Sequence, residues 1–150
     1  ATTTVEQASA SEPQYYYMDV NGIVVAPAAS VGAPELQSLP VVQIVLESQT
    51  LVKPGVTILG RGLIEYALAG YEAAGQSSAN IKISYIIANS KTEDEAVFVT
   101  SEGWQASLSR KLPLDTQIKK LELALREKIG DKRKTLQYVD LRVKDRVYYK

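Results

Sequence analysis

Three kinds of residue in this chain have the types and spacing to do chemistry. Glu93-Asp94-Glu95 sets three carboxylates side by side, the raw material of general acid–base catalysis or of a calcium loop. The triplet lacks the ligand spacing and the glycine of an EF-hand and falls between two strand-forming runs, so it reads as a solvated turn. Gly60-Arg61-Gly62 has the small residues of a phosphate cradle, but no Gly-Lys-Ser/Thr follows, and it reads as the start of a helix. Tyr15, Tyr16, Tyr17 and the only tryptophan, Trp104, could give a ligand an aromatic platform. Trp104 follows a turn and reads first as a packing anchor.

Absent residue types narrow the function further. The 150 residues include no histidine and no cysteine, which removes the imidazole base, the thiol nucleophile and the usual ligands of zinc and copper. Neutral-pH chemistry would then need a strongly perturbed carboxylate or lysine, so the chain is expected to be no enzyme and to hold no cofactor or structural metal. Charge is sorted along the sequence. Residues 1–109 hold 4 Lys/Arg and 11 Asp/Glu, net −7, and residues 110–150 hold 13 and 6, net +7. No aromatic residues interleave with Lys132-Arg133-Lys134, so the basic third reads as a solvated helix face and loop, not as a nucleic-acid surface.

A chain of this length with 45% hydrophobic content makes one globular domain that folds without disulfides. No segment reaches the ~20 apolar residues of a membrane helix, and residues 1–12 lack the basic flank and apolar core of a signal peptide. The chain reads as soluble. It begins at Ala1 with its only methionine at Met18, which reads as a piece of a longer protein.

The positioning elements follow from periodicity. Thr3-Thr4-Val5-Glu6 is long enough to end a strand. Tyr15–Val20 and Ile23–Ala26 flank Asn21-Gly22, whose tolerance of positive φ predicts a two-residue hairpin turn. Residues 27–40, with Pro27, Gly32, Pro34 and Pro40, predict an irregular connection, and Val41–Glu47 a short strand. Leu63, Ala67, Leu68 and Tyr71, with Ile64 beside them, predict a helix from Leu59 or Gly62 to about Ala74, stopped by Gly75. Ile81–Ala88 reads as a strand, and Ala96–Thr100 and Trp104–Ser109 as a hairpin around Ser101-Glu102-Gly103. Asp115 is the expected N-cap of a second helix, whose stripe Ile118, Leu121, Leu125 and Ile129 runs to Gly130.

From Thr135 the chain alternates as a strand as far as Val143, breaks at Lys144-Asp145 and resumes at Val147-Tyr148-Tyr149. On it Val139, Leu141 and Val143 face one way, and Tyr138, Asp140, Arg142 and Lys144 the other. The segment reads as an edge, or close to one, able to accept a partner's strand. Asp140 and Arg142 can equally pair with each other or with a neighbouring strand. The expected class is α+β: a bent, largely antiparallel sheet with two covering helices.

Several of these segments resemble a known family. Tyr138-Val139-Asp140-Leu141-Arg142, preceded by a helix carrying Lys119-Lys120-Leu121 and by the Glu102-Gly103-Trp104 hairpin, resembles the end of the extracytoplasmic β domain of the bacterial cell-division family FtsQ/DivIB. Tyr16 to Val24 resembles that domain's opening, where an aspartate and a glycine flank the first hairpin, and Leu39-Pro40-Val41-Val42 its Leu-Pro pair before the next strand. The resemblance covers about residues 15–150 and rests on the order and distances of three short motifs. It implies that residues 15–150 are the β domain. Residues 1–14 become a lead-in, in which Thr4-Val5-Glu6 would end a missing POTRA domain.

What the family implies is a non-enzymatic divisome scaffold on the extracytoplasmic side of the membrane at the division septum, periplasmic or extracellular, cut from a single-pass membrane protein. Its partners would be FtsB/DivIC-like and FtsL-like division proteins, bound by strand addition at the C-terminal strands. Carried over by position, Tyr138, Asp140, Arg142, Val143, Lys144, Val147 and Tyr148 form the candidate partner-binding set. The competing reading is an extracytoplasmic module for a small ligand or polysaccharide, using Tyr15–Tyr17 and Trp104.

Overall fold

A computed structural model describes residues 2–5, 14–28, 39–46 and 50–150. They form an α+β fold, in which one mixed sheet carries two helices. The strands are β1 (Thr2–Val5), β2 (Gln14–Met18), β3 (Val24–Pro27), β4 (Val41–Val45), β5 (Ile83–Asn89), β6 (Glu95–Thr100), β7 (Gln105–Ser109), β8 (Tyr138–Asp140) and β9 (Tyr148–Tyr149). The helices are α1 (Arg61–Gly75) and α2 (Leu114–Leu123). Strand order is β3-β2-β1-β4-β5-β6-β7-β8-β9. The lead-in beyond Val5, most of the connection expected over 27–40 and the end of the strand expected over Val41–Glu47 lie outside the described residues.

Five of the eight junctions are antiparallel, as the hairpin pattern predicts, but β1/β4, β4/β5 and β7/β8 are parallel. Two of these have a direct cause. A parallel pair needs a crossover, and α1 supplies it between β4 and β5 while α2 supplies it between β7 and β8. The strand read at Thr3–Glu6 is β1, and it lies inside the sheet, between β2 and β4.

Both helices bury their apolar stripes in one core. Leu63, Ile64, Ala67, Gly70 and Ala74 of α1 are buried, as are Ile118 and Leu121 of α2. They meet Val42, Ile44, Ile86, Ala88, Phe98, Ala106 and Leu108 from the strands. The close helix–sheet approach needs glycine at position 70, where a Cβ would stand 2.5 Å from the Phe98 ring. A buried amide fastens α2 to the end of β7. The Gln117 side chain donates to the Ser109, Leu112 and Pro113 carbonyls and to the Tyr66 hydroxyl, and its Oε1 accepts from the Ser109 N–H at 2.9 Å.

Four local expectations are corrected. The first hairpin has no two-residue turn: the connection runs from Asp19 to Ile23, and the register shifts between Tyr17 and Met18. Asp19 is the reason, because its carboxylate accepts from the N–H groups of Ile23 and Asn21 and so builds the loop from a side chain. These bonds, Ile23's foremost, hold its carboxyl below the ordinary value. Asp115 does not cap α2, since the helix starts a residue earlier after Pro113 and the Asp115 carboxylate accepts from Thr116 N–H within the first turn. Gly75 lies inside α1, which closes at Gln76. Finally, α2 does not stop at Gly130. It widens to π-helical turns over Ala124–Ile129, burying Leu125 and Ile129, and tightens to a 3₁₀ helix over Gly130–Thr135.

Candidate functional site

The C-terminal edge is built from β8, β9 and the turn between them. Val139 and Leu141 are fully buried, as their alternation predicts, but Val143 is 42% exposed. The strand ends at Asp140, three residues before the apolar alternation does, and the chain bends at Val143. The bend returns the chain antiparallel, so that β9 pairs with β8 through Val139↔Tyr149 and Asp140↔Tyr148. Tyr138 and Lys150 exchange two more backbone bonds, at 3.3 and 3.2 Å.

This pattern fixes which groups face outward. Bonded pairs alternate along an antiparallel ladder, so Tyr138·Lys150 and Asp140·Tyr148 bond inward, and the N–H and C=O of Tyr149 point away from β8. Among the described residues no strand lies beyond β9. The opposite end of the sheet is covered in part. At β3, Val24 N–H donates to Val56 O and Val24 O accepts from Gly55 N–H, while Ile58 N–H donates to Gly22 O. Pro27 brings no donor there. Gly22, with φ +79°, allows this closure, because a Cβ would stand 1.8 Å from the Leu59 carbonyl oxygen.

The structure brings Asp140 and Arg142 together. Arg142 donates from Nε to Asp140 Oδ1 at 2.9 Å and from Nη2 to Oδ2 at 2.8 Å, a two-pronged pair, and its own N–H also donates to Oδ1. A third prong, Nη1, reaches Glu95 Oε2 at 3.0 Å on β6. The Arg142 hydrogen bond is the main reason the Asp140 carboxyl sits below its ordinary value, and Asp140 in turn raises the guanidinium further. Of the other candidates, Tyr138 and Tyr148 are exposed at 42% and 47%, Lys144 is exposed in the turn, and Val147 is half-buried against the core.

Three residues of this edge were not in the predicted set. Tyr149 is 43% exposed, and Glu95 is Arg142's second partner. Lys120, on α2, seats its ammonium among four carbonyls: Val143 O at 2.7 Å, Leu141 O and Lys144 O at 3.2 Å, and Arg146 O at 3.4 Å. Burial pulls its pKa below the ordinary value, against the opposite pull of Asp145 and Asp140. Lys120 precedes Leu121 of the buried stripe in sequence, a signal of proximity to the core but not of what it touches. Beside β9 lies a groove of about 490 Å³ lined by Leu123, Ala124, Val147 and Tyr149 together with charged side chains, Lys120 and Asp145 among them.

The other candidate motifs are taken up by the fold. The Glu93 carboxylate accepts from Gly60 N–H at 3.0 Å at the start of α1, where an anion is favoured. Asp94 pairs with Lys111 at 3.3 Å. Among the described residues no three acidic side chains converge as metal ligands. Trp104 is fully buried, which withdraws it from any ligand platform. Its indole N–H donates to Glu102 Oε2 at 2.7 Å, the oxygen that also accepts from Arg133 Nε at 2.8 Å. Arg133 stacks 5.9 Å above the Trp104 ring and donates to Ala79 O and Asn80 O, so the middle residue of the basic run works inside the fold.

Among the described residues no helix is long and apolar enough to cross a membrane. Compared with models of protein families and with curated proteins, the sequence gives no match.

Proposed function

We propose that this chain is a non-enzymatic scaffold of the bacterial divisome, an FtsQ/DivIB-like β domain that accepts a partner's strand along β9. The observation that carries the reading is the contrast between the two ends of the sheet. At the β3 end the backbone groups of Val24 and the Gly22 carbonyl are bonded to residues 55–58, whereas at β9 those of Tyr149 face outward beside exposed tyrosines. An open edge offers backbone bonds for affinity, and alternate side chains select the partner. The partner would be an FtsB/DivIC-like segment, with an FtsL-like protein in the same assembly. The parent would be a single-pass membrane protein that displays this domain at the septum, outside the cytoplasm.

Tyr149→Pro tests the reading. It deletes the outward donor while leaving the inward bonds of Tyr148 and Lys150 in place. With circular dichroism unchanged, affinity for a soluble FtsB/DivIC-like segment should fall roughly tenfold or more, since one lost bond and a fixed φ interrupt the added ladder. Unchanged affinity in the folded variant would reject β9 as the docking strand.

A further inference from the structure

Nothing in the strand pattern explains why residues 141–147 turn back at all. The pairing of β9 spans two residues and is extended only by the Lys150 bonds to Gln137 and Tyr138, and the Val143–Arg146 turn holds one internal backbone bond, Arg146 N–H to Val143 O at 3.4 Å. A turn so weakly tied by its own backbone should fray. What converges on it is the Lys120 ammonium, whose four carbonyl neighbours span Leu141 to Arg146. Three N–H donors shared among four carbonyl acceptors tie the turn to α2, and charge-assisted bonds are the stronger kind.

From this geometry we infer that Lys120 is the positioning residue of the docking edge: its ammonium, seated in the carbonyl nest of residues 141–146, holds the turn that delivers β9 to the sheet. The inference rests on the docking role proposed for β9, but its structural half stands in the isolated domain. A preformed edge binds with its full intrinsic affinity, and an edge ordered only a fraction of the time binds weaker by that fraction.

Amide hydrogen exchange on the free domain is the test. The Arg146 and Lys150 amides report the turn and β9, and the Leu141 amide, bonded to Ser107 O at 2.9 Å, reports the sheet behind them. In Lys120→Ala, Arg146 and Lys150 should exchange roughly tenfold faster while Leu141 keeps its protection, and Lys119→Ala should change neither. n-Propylammonium, the fragment removed by Lys120→Ala, should slow the exchange again, whereas tetramethylammonium, which has the charge but no N–H, should not. Unaltered Arg146 and Lys150 exchange in Lys120→Ala, or an equal response to the two cations, would overturn the inference. If Lys120→Ala loses Leu141 protection as well, Lys120→Met, which keeps the packing of the stem and removes the ammonium, replaces it, and the same loosening confined to Arg146 and Lys150 is required. Loosened amides with unchanged affinity for the FtsB/DivIC-like segment would reject the link to docking while leaving the nest itself in place.

Discussion

Arg142 shows how little a residue's type says about its role until its neighbours are known. The guanidinium stands at the proposed edge, yet three of its nitrogens are engaged with Asp140 and Glu95, so it braces the end of β8 against β6. Such partly exposed pairs are each worth only about 0 to 1 kcal/mol, which makes orientation their main contribution. Arg142→Glu would face two carboxylates at once. It should weaken partner binding and increase exchange at the Asp140–Tyr148 pair, measured by titration and by amide exchange. Asp140 gives a pH signature. Its folded pKa is lowered, so its stabilisation is present above the ordinary value of 3.8 and is lost as pH falls through the lowered value. The Tm gap between wild type and Asp140→Asn should therefore be present at pH 7 and close in stronger acid. A gap that persists well below pH 3.8 would contradict the pairing.

Elements whose signals are local could be read in advance. The stripe of α2 put Leu121 and Leu125 in the core, where both lie, and Leu121→Ala should cost about 2 to 5 kcal/mol by chemical denaturation. Gly70→Ala should cost about 1 to 3 kcal/mol through the Phe98 ring, although the helix pattern gave Gly70 no special place. The Glu102-Gly103 turn of the β6–β7 hairpin was also legible, because Gly103 adopts φ +94° within four residues of sequence. What failed depended on contacts that an apolar pattern does not encode. The parallel junctions are set by helices crossing between strands, the Asp19 loop by a side chain replacing backbone bonds, and the end of β8 by hydrogen bonding that stops while the apolar alternation of Val139, Leu141 and Val143 continues. For the same reason Val143, expected in the ladder, lies in a bend, and proline there would not probe an added strand. Of the candidate site, the location at the C-terminal edge was legible. The Lys120 nest and the Glu95 contact were not, because they join residues 26 and 47 positions apart.

Among the described residues the sheet has one end covered at Gly22 and Val24 and one end, β9, with no strand beyond it, and the basic third of the sequence, net +7, supplies the latter. An acidic partner segment should therefore associate faster at low ionic strength, and its affinity should fall as salt screens exposed contacts beyond about 10 Å at 0.1 M. Salt-independent association would leave backbone pairing without electrostatic steering. The most direct measurement is exchange of the Tyr149 amide with and without the partner segment. It points away from β8, so it should exchange fast in the free domain and roughly tenfold or more slower in the complex, while the Lys150 amide, already bonded to Tyr138 O, changes little. A saturated complex in which the Tyr149 amide still exchanges at its free rate would contradict strand addition at β9.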